Sequence, residues 1–204
     1  MTKQNERFVI GITGNIGAGK STVTRALAKA GACVLDADAM TRELQAPGSE
    51  AVRAIAEEFG AQMAPSGILD RKALGALVFG DEAARARLNA LMWPRLIEQT
   101  KCLLRRKRGV CIIDAALLIE SGLHTVCDEV WLITAPEEIR CARIMKRDGL
   151  SEQQAWQRIK SQMPETQKKE YADCLLDSMV GERCLIEKAR ALYDHAVGGL
   201  YGKQ

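Results

Sequence analysis

GNIGAGKS, running from Gly14 to Ser21, fits the pattern G-x-x-x-x-G-K-[ST]. By average residue usage the bare pattern would arise in roughly one chain in a hundred of this length, so its surroundings decide the reading. Before it, Phe8, Val9, Ile10 and Ile12 form a short, β-branched apolar run that predicts a buried strand. After it, Ser21 to Ala30 carries Val23, Leu27 and Ala30 at helical spacing, with Gly31 as the stop. Strand, glycine loop and helix in that order make a phosphate cradle, because unpaired N–H groups and the macrodipole at a helix N-terminus both favour an anion. Gly14, Asn15, Ile16, Gly17, Ala18, Gly19, Lys20, Ser21 and Thr22 are therefore the candidate nucleotide-binding residues. Lys20 is expected to reach the β- and γ-phosphates, and Ser21 to offer its hydroxyl to Mg²⁺.

Working outward, Ala32 to Leu35 is a second apolar run that ends in Asp36, Ala37 and Asp38. Two strands joined by a crossover helix bind ligands beyond their carboxyl ends, so Asp38 is expected beside the glycine loop. The alternative for this pair of aspartates is a turn or a helix cap. Val110 to Ile113 predicts a third strand that delivers Asp114, a candidate Mg²⁺ carboxylate, and Glu120 can face the same cleft. Val130 to Thr134 and Cys174 to Leu176 complete the strands, and Glu182 to Val197 reads as a closing amphipathic helix.

Between strands two and three the pattern turns helical. Ser49 to Phe59 is amphipathic, and Asp70 caps a helix carrying Leu74, Leu77 and Val78. Asp81 opens another helix, which Pro94 is expected to break before starting the next. Such a helical insertion can cover a second substrate. Further on, Pro136 starts a helix with Arg140, Arg143 and Arg147 on one face, and Ser151 to Gln154 forms a capping box for the following one. A basic face near a nucleotide site reads as a phosphate clamp, and its alternative is ordinary charged surface.

Composition excludes several classes. At 204 residues, 47% hydrophobic and 27% charged, the chain is globular, and no stretch approaches the ~20 apolar residues of a bilayer span. The N-terminus runs straight into the first strand without space for a signal-peptide core, so a cytoplasmic location, with no membrane partner, is expected. Seven cysteines with no C-x-x-C spacing support neither zinc nor a redox motif and are expected to be reduced core thiols. A net charge of +3 is too small to argue for nucleic acid. The run Arg105 to Arg108 has no interleaved aromatics and reads as a solvated helix end. His124 and His195 lie far in sequence from these clusters and are expected at the surface, so a catalytic base must be a carboxylate.

Taken together, GITGNIGAGKS, VLDADAMTREL, LDRKALGALVF, LNALMWP, DAALLIESGL, CARIMKRDGLSEQQAWQRIKSQM and ADCLLDS resemble the dephospho-coenzyme A kinases, in the family's own order over about residues 7 to 178. The resemblance implies an α/β kinase core built on the phosphate-binding loop, with five parallel strands flanked by helices. To this it adds a helical coenzyme A-binding lobe and a mobile helical lid. It implies transfer of the γ-phosphoryl group of ATP, with Mg²⁺, to the ribose 3′-hydroxyl of dephospho-coenzyme A. Residues 1–38, 108–135 and 170–204 then form the core, 39–107 the lobe and 136–169 the lid. Asp38 takes the place of the general base, Gly17 to Thr22 hold the ATP phosphates, and Arg143 and Arg147 match the lid arginines. Arg140 stands where glutamine is more usual. Ala116 replaces a proline, Trp93 a histidine and Ser178 an asparagine of the family pattern.

A kinase for another small hydroxyl acceptor, such as a nucleoside or a shikimate-like alcohol, keeps the same loop, because the loop does not identify an acceptor. A guanine-specific switch is disfavoured, since Asn5, Asn15 and Asn89 are not followed by lysine in an N-K-x-D motif. The small-molecule reading carries the expectation of a monomer with no nucleic-acid partner.

Overall fold

The computed structural model describes residues 7–201; the first six residues, on which the expectation of no leader segment partly rests, lie outside the described residues, as do the last three. The chain forms two compact units, Met1–Leu35 with Arg106–Gln204, and Asp36–Arg105.

The first unit is built on five strands: β1 (Arg7–Thr13), β2 (Cys33–Asp36), β3 (Gly109–Asp114), β4 (Glu129–Thr134) and β5 (Cys174–Asp177). They form one parallel sheet in the order β2-β3-β1-β4-β5. The central strands are apolar nearly throughout because helices cover both faces, which removes the polar alternation of a half-exposed sheet. Ile10, Ile12, Val110, Ile112, Trp131 and Ile133 pack with Val23 and Leu27 of helix α1 (Lys20–Lys29) and with residues of the closing helix. Truncating a side chain as fully enclosed as Leu27 to alanine costs about 2–5 kcal/mol.

Register explains why the loop after β1 meets the end of β3. Ile12 stands opposite Asp114, and the N–H of Ala115 donates to the Ile12 carbonyl at 3.1 Å. The connection leaving β1 runs to one side of the sheet, while that leaving β3 crosses β1 to reach β4 on the other. Such a reversal opens a crevice beyond the carboxyl ends of the central strands.

The second unit is helical: α2 (Ala37–Leu44), α3 (Glu50–Phe59), α4 (Arg71–Gly80) and α5 (Glu82–Arg105). Ser49 caps α3 through the Val52 N–H, and Asp70 caps α4 through those of Lys72 and Ala73. The expected break at Pro94 does not occur. Helix α5 runs 24 residues through that proline. Proline removes one hydrogen bond and crowds the carbonyl four residues back. Here, however, Met92, Leu96, Thr100 and Leu104 are buried at four-residue intervals, and one continuous stripe holds both halves in line.

The first unit closes with α6 (Glu137–Asp148), α7 (Glu152–Lys160), α8 (Glu165–Lys169) and α9 (Glu182–Tyr201). Gly149 ends α6 with a φ of 67°, and both hydrogen bonds of the Ser151–Gln154 capping box are made. The short helix α8 and the extension of α9 beyond Val197 go past what the apolar spacing predicted.

Candidate active site

The glycine loop is held from below by the protein as well as shaped for a ligand. Ile16 packs against Cys141, Ile144, Ala155 and Ile159 of the α6–α7 pair, and its N–H donates to Gln162 Oε1 at 2.8 Å. Asn15 is buried, and its Nδ2 donates to the Met163 carbonyl at 3.1 Å. The N–H of Ala18 donates to the Asn15 carbonyl and that of Thr22 to Gly19. Within the expected set, the N–H groups of Ile16, Ala18 and Thr22 are engaged inside the protein. Those of Gly17, Gly19, Lys20 and Ser21 have no protein partner among the described residues.

Gly17 and Gly19 have φ values of +81° and +107°, in the region that favours glycine. At Gly17 space is an equal constraint, because a Cβ would lie 2.8 Å from the backbone oxygen of Arg140.

Lys20 Nζ forms an ion pair with Asp114 Oδ1, and both side chains are more than four-fifths buried. Ser21 is exposed at the start of α1. A hydroxyl and one carboxylate form a sparse donor set, and among the described residues no group of three or more His, Cys, Asp or Glu stands ready to hold a metal ion. Such a set fits Mg²⁺, which keeps several waters and takes one or two protein oxygens beside those of a phosphate chain.

The three arginines of α6 diverge. Arg140 is fully buried, with Nε donating to the Ala135 carbonyl at 3.1 Å and Nη2 paired with Glu137 at 3.0 Å, so it is not part of an open clamp. Helical spacing puts the three on one side, and for Arg140 that side faces protein. Arg143 Nη1 donates to the carbonyls of Gly17 and Ala18 and, at 2.9 Å, to Ser178 Oγ. Ser178, a departure from the family pattern, thus lies beside the glycine loop, bonded to Arg143 and next to Gly19. Arg147 is exposed and pairs with Asp148.

Glu120 does not open onto the cleft. It is paired with Lys168 of α8 at 2.9 Å, and Lys168 is completely buried. Burial pulls that ammonium below the usual lysine value, while the Glu120 carboxylate acts against the shift. Position in an otherwise polar stretch gave no sign of this lysine. His124 is likewise not a surface residue, since it is half-buried with its ring edge-on to Tyr171 at 5.1 Å; His195 is exposed. The cysteines are all unpaired among the described residues, and burial pushes Cys127 up to about 12 and Cys111 up to about 11.

In the helical unit, Asp36 caps α2 by accepting from the N–H groups of Asp38 and Ala39 at 2.8 and 3.0 Å. Asp38 lies in the first turn, exposed, with no hydrogen bond or ion pair to its carboxylate among the described residues. Trp93 lines a cleft of about 430 Å³ along α5 with Glu82, Arg85 and Asn89. No helix among the described residues is long and apolar enough to cross a membrane.

The family model described as "Dephospho-CoA kinase" matches residues 8–181. A dephospho-CoA kinase of Geobacter sulfurreducens is 42% identical over 175 residues, covering 83% of this chain and 89% of the relative. One of Anaeromyxobacter dehalogenans is 40% identical over 196 residues, covering 94% and 93%. Among solved structures, TT1252 from Thermus thermophilus superposes with a TM-score of 0.76 at 33% identity, covering 93% of this chain and 98% of its own. With the loop, the Lys20–Asp114 pair and the parallel sheet in place, these matches across most of its length show that the chain belongs to the dephospho-CoA kinase family.

Proposed function

We propose that the protein transfers the γ-phosphoryl group of ATP to the ribose 3′-hydroxyl of dephospho-coenzyme A. The reading is carried by the pairing of Lys20 with Asp114, which joins the phosphate loop to the carboxyl end of the neighbouring strand. In the reaction the 3′-oxygen attacks the γ-phosphorus, the bond to the β-bridging oxygen breaks, ADP departs and the hydroxyl proton passes to a base. Asp38 is that base: its carboxylate is exposed and uncommitted. Lys20 exchanges part of its contact with Asp114 for the β- and γ-phosphates, and the N–H groups of Gly17, Gly19, Lys20 and Ser21 hold the chain behind them.

Ser21 and Asp114 would hold Mg²⁺, which when bound neutralises phosphate charge. Arg143, already at the loop carbonyls, and Arg147, at the exposed end of α6, serve as the lid cations over residues 136–169. Residues 39–107 form the acceptor lobe, where the cleft beside Trp93 offers an aromatic wall. Residues 1–38, 108–135 and 170–204 form the core. A cytoplasmic monomer without nucleic-acid partners agrees with this small-molecule chemistry.

The test is to incubate the protein with ATP, Mg²⁺ and dephospho-coenzyme A and follow coenzyme A by mass. Stoichiometric conversion is expected. Hydrolysis of ATP with no phosphorylated acceptor would remove this substrate and point to another small alcohol.

A further inference from the structure

A ring of contacts closes behind the glycine loop. Lys168 Nζ donates to the Ala116 carbonyl at 2.8 Å and to Glu120 Oε1 at 2.9 Å. The same Ala116 carbonyl accepts from Thr13 Oγ1 at 3.2 Å, immediately before the loop. Glu120 Oε1 also accepts from the Met163 N–H at 3.4 Å, and the Met163 carbonyl accepts from Asn15 Nδ2 inside the loop. Beside it, Gln162 Oε1 takes the Ile16 N–H. One end of this circuit is Thr13, at the entry to the loop, the other is Asn15 within it, and Lys168 is the side chain that joins them.

We infer that Lys168, acting through Glu120 and Ala116, is a positioning residue that fixes the phosphate-binding backbone of the loop before any nucleotide arrives. A buried ion pair is a poor source of net stability, because desolvation offsets attraction. It is an effective way to fix geometry when every partner is directional, as here. A phosphate cradle gains affinity when its donors need no reordering on binding. Lys168 touches no loop residue itself among the described contacts, so its influence is on the order of the loop and not on the phosphate charge. The inference rests on the reading of the loop as an ATP site.

The test measures ATP affinity by isothermal titration, and separately KM for ATP and for dephospho-coenzyme A, in the full chain. Lys168→Met should weaken ATP binding at least tenfold and raise KM for ATP by a similar factor, leaving KM for the acceptor within twofold. The double variant Lys168→Met with Glu120→Leu removes the unpaired carboxylate; it should recover melting temperature yet still bind ATP at least tenfold more weakly. A purely structural pair would lose stability and recover it in the same way, but with ATP affinity unchanged. A folded Lys168→Met or double variant within twofold of wild type in ATP affinity overturns the inference. Should neither fold, Glu120→Gln, which keeps the shape while weakening the hold on the amine, should bind ATP three- to tenfold more weakly, and no change would be equally decisive. If the wild type binds ATP and the variants bind it as well, only this inference fails; if the wild type binds no ATP, the nucleotide reading fails with it.

Discussion

Lys20 Nζ meets Asp114 Oδ1, so the one lysine of the glycine loop and the last residue of β3 neutralise each other at the head of the sheet. Lys20→Ala should lower turnover by about 10²–10³-fold or more, the cost of removing a preorganised cation from developing phosphate charge. The fold should persist, because neither side chain belongs to the apolar core. Turnover near the wild-type rate in a folded variant, measured by coupled ADP release, would sink the assignment.

Asp38→Asn keeps shape and removes basicity. Turnover is expected to fall by about 10²–10⁴-fold with little change in ATP affinity. The neighbouring carboxylate does a different job. Asp36→Ala should cost about 1 kcal/mol of stability through loss of the α2 cap, and Asp36→Asn much less, since asparagine caps as well. Denaturation midpoints beside rate constants separate the two roles; a large rate loss in Asp36→Asn with none in Asp38→Asn would reverse them.

Arg143→Ala should slow transfer more than Arg147→Ala, because Arg143 also ties α6 to the carbonyls of Gly17 and Ala18 while Arg147, among the described residues, holds only Asp148. Limited proteolysis over residues 136–167 should be faster without ligand than with ATP and acceptor together. Equal cleavage in both states would mean that this helix pair does not close.

Burial pushes the Cys127 thiol up to about 12 from an ordinary value of 9.0. The folded state therefore keeps a proton that the unfolded chain releases, and stability falls as pH rises from about 9 toward about 12. Cys127→Ala should flatten this alkaline decline, whatever it does to stability at neutral pH. Melting curves at a series of pH values test this, and an identical slope in the variant would show that another group carries the decline.

The parts of the site that follow local rules were readable in the sequence. The glycine loop, the strand ending at Asp114, the Ser151 capping box and the Asp70 cap depend on residue types at fixed offsets, and offsets are what a sequence displays. What escaped it depends on partners distant along the chain. Lys168 is a charged residue in a polar stretch, and only the fold brings Glu120 and Ala116 to it; the bonds of Arg140 to Ala135 and Glu137 are local, and what the sequence did not display is its complete burial. Pro94 signals a break by local chemistry, yet the burial of Met92, Leu96, Thr100 and Leu104 overrides it. Ser178 lies 35 positions from Arg143, so their hydrogen bond leaves no spacing signature.

The close approach of Gly17 to Arg140 separates two pressures on the same glycine. A side chain there would strike the backbone of α6 whether or not a nucleotide is ever bound. The glycine is therefore demanded by assembly as well as by ligand, and a descendant that lost all catalysis would still be constrained to retain it for as long as α6 stayed docked.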